Sequence, residues 1–68
     1  MIFYDPLWKT LKEKNISSYK LIHKHGLSHG TFDNLKHNRN VTMQTIDQLC
    51  KMLHCRIEDI AVYIEDTE

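Results

Sequence analysis

Apolar residues recur along the chain in short runs with helical spacing, and single polar residues, two glycines and one proline punctuate them. Asp5-Pro6 marks the first start, since Asp caps helices and Pro suits the first helical position. Leu7, Trp8 and Leu11 follow on one face, and the segment fades at Asn15. Ser17 caps a second segment from Ser18 to His25, with Leu21 and Ile22 as its apolar pair; Gly26 closes it, because glycine adopts the left-handed conformation that ends helices. Ser28 is a third cap, ahead of Phe32 and Leu35 on one face, and Asn38-Arg39-Asn40 reads as a polar loop. Thr42 caps a fourth segment whose Ile46, Leu49, Cys50 and Leu53 match the i, i+3, i+4, i+7 template. Ile57, Ile60, Ala61 and Ile64 repeat that register, with Glu58 and Asp59 in the first turn, where the helix dipole favours carboxylates.

The pattern therefore predicts an all-α, five-helix bundle with helices at about 6–14, 18–25, 29–37, 43–54 and 57–64. Met1-Ile2-Phe3-Tyr4 is too apolar for a free tail. It is expected to pack across the helices or to pair as a short strand with residues near Val62–Ile64.

Length and charge narrow the functional classes. The 68 residues are expected to form one domain over 1–68, with no room for a separate effector domain. The formal net charge of zero argues against a histone-like coat on nucleic acid. The charges are nevertheless polarised. Lys9, Lys12, Lys14, Lys20, Lys24, Lys36 and Arg39 stand against Asp5, Glu13 and Asp33 in residues 1–40, whereas Lys51 and Arg56 face Asp47, Glu58, Asp59, Glu65, Asp66 and Glu68 in residues 41–68. One basic face for a polyanion is the natural reading. Two cysteines inside an apolar pattern, with no visible signal peptide or transmembrane run, point to the reducing cytoplasm.

The stretch from Ser17 to Asn40 carries the chemistry. A short helix, a tight turn with Gly26-Leu27-Ser28 and a second capped helix form the unit that sets its second helix in the DNA major groove. That task needs small or polar side chains at the exposed start of the second helix and apolar ones locking it to its scaffold. His29, Gly30, Thr31, Asp33 and Asn34 are outward, and Phe32 and Leu35 inward.

The order Leu21-Ile22, Gly26-Leu27-Ser28, Thr31-Phe32 and Leu35 resembles the phage-repressor (Cro/cI-type, xenobiotic-response-element) helix-turn-helix family. Val41-Thr42 and Cys55-Arg56-Ile57-Glu58-Asp59-Ile60 look like that family's fourth and fifth helices. Tyr4-Asp5-Pro6-Leu7-Trp8 and Asn40-Val41 look most like its very short, single-domain bacterial regulators. The resemblance implies a five-helix fold and, for most members, dimers on inverted-repeat operators. It implies base-reading positions at His29, Gly30 and Asn34 and a phosphate or thymine-methyl contact at Thr31. Asn bonds adenine through N6 and N7, and His donates to a guanine acceptor. It also implies backbone contacts at Ser18, Arg39, Asn40, Thr42 and Met43, where a polar loop and a helix N-terminus suit phosphate. Ser28 at the mouth of the reading helix is counted with these contacts, and Lys20 and Lys36 add electrostatic attraction. The chain departs from the family pattern in three places. Ile22 stands where alanine is favoured, Gly30 has no side chain to read with, and Asp33 repels phosphate unless it accepts from a cytosine amino group.

Other constellations are weaker. Cys50, His54 and Cys55 have a spacing that a metal tolerates, but no paired zinc signature appears and Cys50 also fits the core stripe, so no metal or cofactor is expected. His23, His25, His29 and His37 near the DNA face read as polar surface that gains charge as pH falls. Trp8 is read as packing rather than base stacking, and Glu65-Asp66-Thr67-Glu68 as a solvated end. No catalytic motif stands out, so an enzyme is the least favoured class. The sequence reading is thus a repressor that binds a double-stranded DNA operator as a homodimer, without membrane or small-molecule partner. The alternative is a protein-interaction module that keeps the helix-turn-helix shell without operator affinity.

Overall fold

The computed structural model describes residues 1–66; of the acidic end read as solvated, Thr67 and Glu68 lie outside the described residues. The order is β1 (Ile2–Phe3), α1 (Asp5–Glu13), α2 (Ser18–His23), α3 (His29–Lys36), α4 (Met43–Leu53), a 3-10 turn (Ile57–Asp59) and β2 (Val62–Tyr63). Three of the four helix starts are made by the caps the sequence announces. The side chains of Ser17, Ser28 and Thr42 accept from the backbone N–H groups of Lys20, Thr31 and Thr45. The first start differs by one residue: Tyr4 is the cap position and Asp5 is already helical, with Pro6 behind it. The α2–α3 turn closes on Gly26 at φ 79°, a conformation without steric cost only for glycine. Across it the Leu27 N–H donates to the Leu21 carbonyl at 3.2 Å.

Leucines and isoleucines converge from each of the four helices. Leu7 and Leu11 of α1 meet Leu21 of α2, Leu35 of α3, and Ile46, Leu49 and Leu53 of α4; Leu27, Ile60 and Tyr4 complete the core. Trp8 packs α1 on α3 by standing edge-on to Phe32, with ring centroids 5.6 Å apart at 75°.

The expected fifth helix at 57–64 does not form. Its first turn is the 3-10 turn, after which the chain extends into β2 and pairs antiparallel with β1, in the register Ile2↔Tyr63 and Phe3↔Val62. Of the two fates offered for the apolar N-terminus, the strand is the one realised. The cause is competition for backbone groups. The Asp59 carbonyl, which an α-helix would give to the Tyr63 N–H, instead accepts the Thr10 hydroxyl of α1 at 2.8 Å. The Ile64 N–H donates to the Met1 carbonyl at 2.9 Å. The β-branched and aromatic run Val62-Tyr63-Ile64 favours extended backbone as well. Ile57 and Ile64 stay about half exposed, and of the apolar stripe only Ile60 reaches full burial.

Candidate nucleic-acid interface

Helices α2 and α3 with the Gly26 turn carry Ser18, Lys20, Ser28, His29, Asp33 and Lys36 exposed and Thr31 and Asn34 half-buried. At the start of α3, Ser28 and Thr31 lock each other. The Thr31 N–H donates to Ser28 Oγ at 3.1 Å, and the Ser28 hydroxyl donates to Thr31 Oγ1 at 2.8 Å. The Thr31 hydroxyl keeps its own hydrogen free to donate outward. His29 and Gly30 are exposed on this first turn. A Cβ built at Gly30 meets nothing within 4 Å, so packing does not demand glycine there. The His29 ring stands 6.0 Å from that of His23 at the end of α2, and His23 in turn stacks on the exposed Tyr19 at 4.3 Å.

Further along α3, Asp33, Asn34 and Arg39 form one cluster. The Arg39 guanidinium pairs with Asp33 Oδ2, and its Nε–H donates to Asn34 Oδ1 at 3.2 Å. The other Asp33 oxygen lies 3.2 Å from His37 Nδ1, a contact four residues along the same helix. The sequence offers Asp33 as a free acceptor on the groove side; in the folded chain one of its carboxylate oxygens is taken by Arg39.

The loop after α3 is fixed from beneath. Asn38 adopts a left-handed conformation at φ 54°. Its side chain accepts the Tyr4 N–H at 3.0 Å, and the buried Tyr4 hydroxyl donates to the Arg39 carbonyl at 2.8 Å. Pattern reading assigned Tyr4 only to an apolar prelude and missed this role; a tyrosine among residues bound for the core is the available signal, because a buried hydroxyl needs a partner. His37 as a partner of Asp33 was also missed, though the i, i+4 spacing announces it.

The remaining selected residues divide between two places. Ser18 of α2 and Lys36 of α3 flank a cleft floored by Trp8 and Phe32. Asn40 and Met43 border an apolar groove with Met1, Ile2 and Tyr4, and Thr42 is occupied as the α4 cap. Lys20 is exposed on α2, apart from both. Among the described residues no group of three or more His, Cys, Asp or Glu side chains gathers to hold a metal ion. Burial, reinforced by neighbouring Cys50, pushes the Cys55 thiol above its ordinary value. No helix among the described residues is long and apolar enough to cross a membrane.

Comparison with known proteins bears on the fold and the family. No curated protein matches the chain. Among solved structures, the crystal structure of the transcriptional regulator VanUg superposes with a TM-score of 0.86 at 29% identity, covering 96% of this chain and 87% of that one. The Cro/C1-type HTH (helix-turn-helix) DNA-binding domain family matches residues 6–66, nearly the whole length, and the chain belongs to that family.

Proposed function

We infer that this protein is a sequence-specific, double-stranded-DNA-binding transcriptional regulator that represses by occupying promoter DNA. The observation that carries the reading is the unit Ser18–Lys36: two helices joined through a left-handed Gly26, with His29, Asp33 and Lys36 of α3 exposed, Thr31 and Asn34 half-buried and Leu35 buried. In this reading α3 enters the major groove, and His29, Thr31 and Asn34 meet base edges, with Asp33 beside them. Ser18, Lys20, Ser28, Lys36, Arg39, Asn40, Thr42 and Met43 meet the phosphate backbone on either side. One short helix reads only a few base pairs, each good bidentate contact discriminating by about 1–3 kcal/mol. A homodimer on half-sites about 10 base pairs apart doubles that readout. The exposed Ile2, Ile57, Tyr63 and Ile64 near the chain ends supply an apolar surface for such pairing.

The test is a fluorescence-anisotropy titration with DNA from upstream of the protein's own gene, against scrambled competitor, at several salt concentrations. Selective binding that weakens steeply with salt is expected, because phosphate contacts release counterions. A folded protein that binds neither duplex at low salt refutes the reading and favours the protein-interaction module.

A further inference from the structure

We propose that Asp33 and Asn34 are positioning residues for Arg39, holding its guanidinium in one orientation as a ready-made phosphate contact. This rests on the DNA-binding reading above. Arg39 is anchored at three levels. Its backbone N–H donates to the Asn34 carbonyl at 2.7 Å, its own carbonyl accepts the Tyr4 hydroxyl at 2.8 Å, and its side chain is held by Asp33 and Asn34. A guanidinium carries five N–H donors in a rigid planar fork. Two of them are used within this clasp, which leaves the rest for an anion. The Asp33 backbone carbonyl accepts His37 Nδ1 at 3.0 Å, and the same nitrogen lies 3.2 Å from the second carboxylate oxygen.

Burial argues that stability is not the purpose. The Asp33 and Arg39 side chains are 55% and 53% exposed, and an ion pair that open contributes little to folding. What the pair does is remove rotamer freedom from a long side chain before DNA arrives, lowering the entropy that binding would otherwise cost. It also resolves a puzzle of the sequence. A carboxylate on a face that meets phosphate is unfavourable alone, but paired it adds no uncompensated negative charge.

The sign of one substitution separates positioning from plain repulsion. Asp33→Ala raises the formal net charge from zero by one unit, so repulsion alone predicts tighter binding to any DNA. Positioning predicts the opposite. The affinities of wild type, Asp33→Ala, Arg39→Ala and the double variant are measured by anisotropy on the upstream duplex across a salt series. Asp33→Ala is expected to weaken binding by roughly three- to tenfold, the scale of an exposed ion pair plus a hydrogen bond. Arg39→Ala weakens it at least as much and flattens the salt slope by about one phosphate contact. In the Arg39→Ala background the sign reverses: removing Asp33 strengthens binding, because the carboxylate there only repels. Asp33→Ala that strengthens binding in both backgrounds, or leaves the wild-type background unchanged, overturns the proposal.

The Arg39 Nε–H resonance in the free protein gives a readout without DNA. It is expected to exchange slowly and to lose that protection in Asp33→Ala and in Asn34→Ala. Exchange as fast as that of free arginine overturns the clasp itself. Protection with no DNA binding by wild type overturns the DNA reading, and with it the purpose assigned to the clasp.

Discussion

Replacing Thr10 by valine tests why the chain leaves the helical register after Asp59. Thr10 is 8% exposed and its hydroxyl donates to the Asp59 carbonyl at 2.8 Å. Valine keeps the β-branch and replaces only the hydroxyl by a methyl, so no cavity is opened and helix propensity barely changes. The lost hydrogen bond costs about 1 kcal/mol net, and a stripped carbonyl raises that to as much as about 3 kcal/mol. Asp59 is only half-buried, so water restores part of the bond and about 1–2 kcal/mol is the expected loss. At about 4–8 °C per kcal/mol for a domain of this size, Tm falls by about 5–15 °C. Thermal unfolding followed by far-UV circular dichroism measures this. Thr10→Ser, which keeps the hydroxyl and loses a methyl, serves as the control and should retain more stability. A valine variant as stable as wild type, or more so, would refute the view that this hydroxyl holds the 3-10 turn against α1.

Leu35 is fully buried beneath α3, so Leu35→Ala should cost about 2–5 kcal/mol by urea unfolding, and a loss under about 1 kcal/mol would contradict its place at the centre of the core. Arg39→Ala should weaken binding to operator and random DNA by similar factors. Asn34→Ala should lower both the affinity, through Arg39, and the operator-to-random ratio, through a lost base contact; equal ratios for the two variants would contradict that division. The raised pKa of Cys55 comes first from burial, and the folded chain therefore favours the neutral thiol. The associated stability is present below the ordinary value of 9.0 and is lost as pH rises through the folded value, so urea midpoints should fall on the alkaline side and the fall should vanish in Cys55→Ala.

What could be read from the sequence follows the range of each interaction. The Ser17, Ser28 and Thr42 caps are decided within three residues, so three helix starts were visible as written. Leu35, Ile46, Leu49 and Leu53 were visible because helical periodicity alone places them inward. The stretch 57–64 was misread because its periodicity is real but loses to partners far away in sequence, Thr10 and the β1 strand. The same limit hid the clasp. Asp33, Asn34 and Arg39 were singled out individually, but whether they touch depends on the path of a loop that Tyr4 fixes. Asp5 was taken for the first cap because its residue type suits that role; the chain places Tyr4 there, where its N–H and hydroxyl both bond to the Asn38–Arg39 loop.

The ribbon of β1 and β2 also orders events during folding. It joins Ile2 to Tyr63 and Phe3 to Val62, almost the full length of the chain apart, while every helix closes locally. Loop closure over that distance comes late, after local helices have formed and collapsed. Tyr4 follows β1 in the chain and its hydroxyl bonds the Arg39 carbonyl, 35 positions away, a shorter closure than the ribbon's, so the Arg39 loop is seated first. A chain still emerging from the ribosome thus holds every partner of Arg39 before β2 exists. The ribbon is then expected to be the last part of the fold to gain protection from hydrogen exchange during refolding.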